Sequence, residues 1–121
     1  MNRSPAIIAA ALGALAVVLG AFGAHALRGQ LDVASLQLWH TADDYQFWHA
    51  LALLGLACAP ASRWRAAGSI AFPMGIVLFC GSLYALALGA PRWIGAITPV
   101  GGLGLILGWA CLGGAFWRSA R

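Results

Sequence analysis

The feature that most constrains the fold is a stretch of nineteen residues, 6–24, that carries no polar side chain. A helix crosses the hydrocarbon core of a bilayer with about 20 apolar residues, whereas a surface helix of a soluble protein keeps one polar face. Arg3 precedes the stretch, and His25 and Arg28 follow it. The pattern therefore predicts a membrane-spanning helix over residues 6–26.

A cleaved secretory signal is the alternative interpretation of this first segment. Ala24, His25 and Ala26 form an A-x-A pattern that follows a positively charged N-terminus. The apolar run is, however, longer than the roughly 7–15 residues of a signal core, and further apolar segments follow it. We therefore expect the first helix to be retained.

The composition extends this interpretation to the whole chain. Of the 121 residues 62% are hydrophobic and 8% are charged, and the mean hydropathy is +0.85. Soluble domains are about 45–50% apolar and about 25% charged. Three more apolar segments predict helices over residues 41–59, 66–89 and 98–117. The sequence thus predicts an all-α membrane protein, a single domain over residues 1–121 that forms a four-transmembrane-helix bundle.

The ends of the later helices carry their own signals. Thr41 followed by Asp44 resembles a capping box at the start of helix two, and Thr98 followed by Pro99 favours a capped start of helix four. Residues 27–40 would then form a short outer connector. Its apolar residues lie close to helical spacing, so the connector is either an amphipathic helix in the membrane interface or an ordinary loop.

The charge distribution predicts the orientation. The net charge of +4 comes from seven Arg against three Asp. A basic surface can indicate a nucleic-acid partner, but here the arginines lie at the ends of apolar runs, so we expect no nucleic acid. With four crossings, one side of the membrane holds Arg3, Arg63, Arg65, Arg118 and Arg121, and the other holds Arg28 and Arg92. The positive-inside rule then places both termini in the cytoplasm.

The polar start of helix two, residues 41–49, is the candidate site. In the predicted topology it lies in the outer half of the membrane, where polar side chains from the other helices approach it. An ionisable side chain within a membrane nearly always faces the bundle and finds a partner there. We expect a polar cluster of His25, Asp44, Tyr45, Gln46, His49, Ser82, Tyr84 and Thr98.

This cluster has a functional and a structural interpretation. It could form a pocket that opens outward and binds a proton, a cation or a polar head group. Alternatively, Asp43 and Asp44 cap helix two and complement its dipole, His25 caps the end of helix one, and Tyr45 and His49 link helices by hydrogen bonds. The sequence leaves both open.

Motifs for catalysis and for cofactors are not found in the sequence. It has no Ser-His-Asp elbow, no phosphate loop and no carboxylate pair that would lie deep in a cleft. The three cysteines lie within apolar segments without a ligand-type neighbour, as packing residues do. His25 and His49 could in principle ligate a haem, but nothing else favours it. We expect no enzymatic activity, no metal and no cofactor.

Five segments of the sequence carry a family resemblance: residues 20–25 (GAFGAH), 45–55 (YQFWHALALLG), 77–84 (VLFCGSLY), 98–102 (TPVGG) and 108–110 (GWA). Together they resemble the YgdD-like family of small multi-pass inner-membrane proteins of unknown function. The resemblance implies a multi-pass inner-membrane protein with four helices and a retained first helix. It implies no reaction and no ligand residue, although Asp44 occupies a position that is often Glu in that family.

Three functions are compatible with these features. We expect a small integral inner-membrane protein without catalytic activity that contacts lipid and self-associates or joins a membrane complex through small-residue stripes on helices one, three and four. The first alternative is a small transporter or proton-coupled carrier that uses the polar cluster. The second alternative is a haem-binding or quinone-binding membrane protein.

Overall fold

The computed structural model describes residues 1–120. Within that range all regular secondary structure is helical. A 3₁₀ helix, Arg92–Ala96, leads into the last α-helix. The four α-helices are α1 (Arg3–His25), α2 (Val33–Ala57), α3 (Arg63–Ala87) and α4 (Ile97–Ser119). Three segments are long and apolar enough to cross a membrane, namely α1, α3 and the stretch Arg92–Ser119. Of the four predicted spans, three are therefore supported by length and composition. Helix α2 is long enough to cross a membrane, but its sequence is more polar than those of the other three helices.

Helix α2 begins eight residues before the predicted position. Its N-cap is Asp32, whose carboxylate accepts a hydrogen bond of 2.7 Å from the backbone N–H of Ser35. The predicted capping box at Thr41 is wrong, because a cap further upstream already starts the helix. Residues 33–40, predicted as part of a separate connector that is either an amphipathic helix or a loop, are the first turns of α2, so a separate connector over residues 27–40 is not found. Only residues 26–32 join α1 to α2.

Helix α4 begins within one residue of its predicted start, but the predicted cap is wrong. No side chain caps Ile97–Ser119. The hydroxyl of Thr98 instead lies 2.6 Å from the hydroxyl of Ser82 on α3. The preceding 3₁₀ helix runs directly into α4, so the start of α4 does not depend on a side-chain cap.

The helices pack in the order of the chain, as three successive antiparallel pairs. α1 packs along α2, α2 along α3, and α3 along α4, with a smaller contact between α2 and α4. The central helices α2 and α3 supply most of the core, which includes the fully buried side chains of Leu53, Leu56 and Phe72. Helices α1 and α4 therefore lie on the flanks and expose apolar faces.

The closest approach is between α3 and α4. A Cβ atom added at Gly101 would lie 2.7 Å from the Cα of Phe79, so the two backbones are in contact there. Further along, Gly104 lies against the backbone of Gly75. Small residues allow such close approach between membrane helices. The glycine stripe of α4 thus packs within the chain, against α3.

Candidate functional site

The side chain of Gln46 joins three helices. Its Nε2 donates a hydrogen bond of 2.9 Å to the backbone carbonyl of Leu12 on α1, and its Oε1 accepts one of 2.8 Å from the hydroxyl of Tyr84 on α3. Gln46 is 2% exposed. A buried amide is costly unless it is hydrogen-bonded, and both ends of this one are. The predicted proximity of Gln46 and Tyr84 is therefore found, as a hydrogen-bonded bridge.

Trp39 makes a second bridge, one that the sequence did not predict. Its indole Nε1 donates a hydrogen bond of 2.9 Å to the backbone carbonyl of Leu19. Trp39 and Gln46 are seven residues apart on α2, and their acceptors on α1 are seven residues apart in the opposite direction. The two hydrogen bonds therefore fix the position of α1 along the axis of α2 and its rotation about its own axis.

Asp43 lies between these two bridges. Its carboxylate faces Gly20 of α1, where an added Cβ atom would lie only 2.7 Å from Oδ2. The Oδ1 atom is buried without a hydrogen-bond partner among the described residues. The hydroxyl of Tyr84 lies beside this carboxylate but donates its proton to Gln46. Asp43 is thus the polar side chain of the bridge region whose hydrogen bonds are least satisfied.

The position of Asp43 corrects the interpretation of the two aspartates as helix caps. Asp43 lies ten residues inside α2, about 15 Å from its first residue at 1.5 Å per residue. The predicted cluster omits Asp43, because a helix that starts near residue 41 would place this residue in its first turn. A signal was present: Trp39, Asp43, Gln46 and Ala50 follow the three- and four-residue spacing of one helical face.

Asp43 and Asp44 line a groove between α1 and α2, which we call the carboxylate groove. The part at the aspartates has a volume of about 250 Å³ and is otherwise lined by small and aromatic residues, including Gly20 and Trp48. Val17 and Phe47 also line a neighbouring apolar part of about 270 Å³. Asp44 is exposed at this surface, so it is the more accessible of the two carboxylates.

Tyr45 and His49 line a different surface, between α2, α3 and α4. The Nδ1 of His49 lies 2.6 Å from the backbone carbonyl of Tyr45, and the two rings stack with centroids 5.5 Å apart. Phe72 and Trp109 also contact the His49 ring. The cavity beside these rings has a volume of about 560 Å³. Tyr45 and His49 are therefore separate from the carboxylate groove.

The remaining predicted residues divide further. Ser82 pairs with Thr98 between α3 and α4, and Ser82 also donates to the carbonyl of Phe79 at 2.9 Å. His25 is exposed at the end of α1 and does not join the cluster, so that prediction is wrong. The register of α1 on α2 places His25 beyond Leu19, away from His49, which rules out the pair as ligands to one haem.

The structure thus resolves the predicted single cluster into three separate arrangements. These are the bridge of Gln46 and Tyr84 with Asp43 beside it, the aromatic cavity at Tyr45 and His49, and the hydroxyl pair of α3 and α4. Among residues 1–120, no three His, Cys, Asp or Glu side chains lie together as a metal site would require.

The comparisons with known proteins agree with the membrane assignment. A family model described as "Protein of unknown function (DUF423)" matches residues 19–102. The UPF0382 membrane protein SERP0230 of Staphylococcus epidermidis is 48% identical over 112 residues, which are 88% of this chain and 89% of the relative. The UPF0382 inner membrane protein YgdD of Escherichia coli is 42% identical over 114 residues, 92% of this chain and 87% of the relative.

A third relative comes from Bacillus subtilis. The UPF0382 membrane protein YwdK of Bacillus subtilis is 45% identical over 109 residues, 85% of this chain and 88% of the relative. No solved structure matches the chain. These names describe membrane proteins and indicate no catalytic family, and they confirm the resemblance to the YgdD-like family. Since the family model and the relatives cover most of its length, the chain belongs to the DUF423 family of unknown function.

Proposed function

We propose that the protein is a small proton-coupled carrier of the bacterial inner membrane, in which Asp43 alternately binds a proton and a cationic substrate. The observation that carries this proposal is the Asp43 carboxylate, ten residues inside α2, with one oxygen buried and unpaired. The relatives are named as membrane proteins without a reaction, so the proposal depends on this geometry alone.

The proposal includes α2 as a fourth span. At 1.5 Å per residue its 25 residues extend over about 37 Å, more than the roughly 30 Å of the hydrocarbon core. Its polar side chains Gln46 and His49 are buried, while Phe47, Leu51 and Leu54 are exposed. Part of the low hydropathy of α2 thus comes from residues that face the other helices, while Gln37, His40, Thr41 and Asp44 are exposed. The arginine asymmetry supports cytoplasmic termini.

Cysteine labelling tests this topology. In a Cys58→Ser background, where the remaining Cys80 and Cys111 are buried, Gly29→Cys and Ala61→Cys each place one exposed thiol in a turn on either side of α2. A membrane-impermeant maleimide applied to intact spheroplasts should label the first position, and should label the second only after permeabilisation. The opposite pattern would reverse the orientation. Labelling of both positions from one side would show that α2 does not cross.

An unpaired carboxylate is costly inside a membrane, where ionisable groups mark ion and proton pathways. Asp43 can avoid this cost in two ways, by taking up a proton or by pairing with a cation. The carboxylate groove gives a cation a path to it past Asp44 and the aromatic ring of Trp48, whose face attracts cations. Exchange of a proton for a cation at Asp43 is therefore the chemistry that the site favours.

The experiment measures this exchange directly. Addition of tetraphenylphosphonium to the purified protein in weakly buffered detergent solution should release protons, detected with a pH dye. Asp43→Asn should abolish the release. Asp32→Asn is the matched control, because Asp32 is an exposed cap at the start of α2, and it should leave the release unchanged. A wild-type protein that releases no proton, or an Asp43→Asn variant that still does, would refute the carrier proposal.

A second candidate is an interaction protein that self-associates, and the position of α1 favours it. This helix packs along α2, and its other faces expose Ile7, Val17 and Val18. An added Cβ atom at Gly13 would contact no atom within 4 Å, so a second helix could approach closely there. Native mass spectrometry from membranes should then show a defined oligomer that Gly13→Leu dissociates and Gly113→Leu does not. A monomer in nanodiscs and in mild detergents would exclude this candidate.

A further inference from the structure

The aromatic cavity at His49 lies on the side of α2 that faces α4, away from the carboxylate groove. Its volume of about 560 Å³ falls within the range of about 300–1,000 Å³ that is typical of small-molecule sites. The lining is mostly apolar and aromatic, with contributions from α2, α3 and α4. The residues that matter here are Tyr45, His49, Phe79, Ile106 and Trp109.

His49 supplies one hydrogen-bond acceptor to this cavity. Because Nδ1 lies 2.6 Å from a backbone carbonyl, Nδ1 carries the proton and Nε2 presents a lone pair. The residue is 6% exposed, and its Nε2 has no hydrogen-bond partner among the described residues. Nε2 is not completely enclosed, so a ligand in the cavity can reach it. A polar atom in apolar surroundings is costly until it is paired, which creates a demand for a hydrogen-bond donor.

The surrounding aromatic rings restrict the shape of a ligand that bears this hydrogen-bond donor. Tyr45 and His49 are nearly parallel, at 17°, and Trp109 stands edge-on to His49 at 73°. Phe79 also packs against Tyr45, with centroids 4.6 Å apart. Aromatic rings pair best with other rings in stacked or edge-to-face arrangements. The walls therefore favour a flat aromatic group.

The depth of His49 excludes phospholipid head groups as the donor. Its ring contacts Phe72 and Trp109, which lie within three residues of the midpoints of α3 and α4. If those helices span the membrane, His49 lies near the middle of the hydrocarbon core, about 15 Å from either head-group layer. The donor must therefore belong to a molecule that dissolves in the membrane interior.

We propose that this cavity binds a hydroxyaromatic lipid of the hydroquinone class, whose hydroxyl donates a hydrogen bond to Nε2 of His49. The ring of the ligand packs between Tyr45 and Trp109, and its apolar tail leaves through the open side of the cavity into lipid. A quinone carries only acceptor oxygens and cannot pair with Nε2, so the site selects the reduced form. The proposal concerns binding alone and is independent of the carrier proposal.

The test uses the small number of histidines. In protein labelled with ¹⁵N-histidine in nanodiscs, three side chains give signals, and His25 and His40 are exposed internal references. Anaerobic titration with 2,3-dimethyl-1,4-naphthohydroquinone should shift the Nε2 resonance of His49 in a saturable way. The dimethyl ether of the same compound and the oxidised quinone should bind at least about tenfold more weakly, because neither can donate to the buried acceptor.

Two variants separate binding from folding. Ile106→Trp places a large side chain at an exposed position of the cavity wall and should abolish the shift of His49. Leu107→Trp is the matched control, because Leu107 is also exposed on α4 but does not line the cavity, and it should leave the shift unchanged. If the hydroquinone causes no shift of His49, if its ether binds equally well, or if Ile106→Trp has no effect, the proposal is wrong.

Discussion

The hydroxyl of Tyr84 donates a hydrogen bond of 2.8 Å to Oε1 of Gln46, and Nε2 of the same amide donates to the carbonyl of Leu12. One side chain of α2 is thereby bonded to both neighbouring helices. The membrane interior has no water to replace either bond, so the bridge specifies one arrangement of α1, α2 and α3. The Oδ1 atom of Asp43, which has no hydrogen-bond partner among the described residues, lies beside this same bridge.

We expect Tyr84→Phe to destabilise the protein by about 0.6 kcal/mol or more, since interhelical hydrogen bonds in membranes contribute about that amount on average. Gln46→Leu should cost more, because it also removes the bond to Leu12. The double variant should be less destabilised than the sum of the two single changes, since both remove the same bond. Unfolding in mixed micelles at increasing SDS fractions measures the three differences. Strict additivity would show that the Tyr84–Gln46 bond does not contribute.

Gly101→Ala should destabilise the pairing of α3 and α4 strongly, by about 1–3 kcal/mol, because its new methyl group overlaps the backbone of Phe79. Gly113→Ala on the same helix is the matched control. No atom lies within 4 Å of the methyl group there, and alanine favours a helix over glycine by about 1 kcal/mol. Thermal denaturation in detergent should therefore rank the proteins as Gly113→Ala, wild type and Gly101→Ala. Equal loss from both changes would contradict the contact between the backbones.

The main features of the fold could be predicted from the sequence, because apolar segments of about 20 residues separated by short polar turns have few alternatives. The start of α2 could not. Residues 33–40 mix polar and apolar side chains and are compatible with a loop or a separate interfacial helix, but they form the start of α2, whose buried residue Trp39 packs against α1. The contact with α1 decides the conformation there, and a sequence pattern does not show that contact.

The error at α2 also caused the error in the site. With a helix that starts near residue 41, Asp43 lies in the first turn and its charge is explained by the helix dipole. With the true start at Val33, Asp43 lies deep in the helix and that explanation fails. The sequence also does not predict that His49 and Asp43 lie at separate sites, because this depends on which neighbouring helix packs against each face of α2.

The N-cap of α2 predicts a pH dependence of stability. The hydrogen bond from Ser35 lowers the pKa of Asp32 below its ordinary value. The stabilisation by the carboxylate is therefore fully present above the ordinary aspartate pKa, and it is lost as the pH falls through the lowered pKa of the folded state. Thermal denaturation between pH 7 and pH 3 should show this loss in the wild type.

Two substitutions isolate this effect from the other titrating groups. Asp32→Asn keeps a capping side chain but does not titrate, so the difference in Tm between the wild type and Asp32→Asn should shrink or reverse at acidic pH. Asp32→Ala removes the cap and should lower the Tm at neutral pH. If the wild type and Asp32→Asn differ by the same amount at every pH, the carboxylate of Asp32 does not contribute through its charge.

Trp39→Phe should destabilise the pairing of α1 and α2, because phenylalanine cannot donate to the carbonyl of Leu19. The expected loss is about 0.6 kcal/mol for the hydrogen bond, and the space left by the smaller ring adds to it. Trp48→Phe on the same helix is the control, because Trp48 is 54% exposed whereas Trp39 is 3% exposed. Its effect should stay within about 0.5 kcal/mol. Unfolding in SDS measures both, and equal effects would show that Trp39 does not anchor α1.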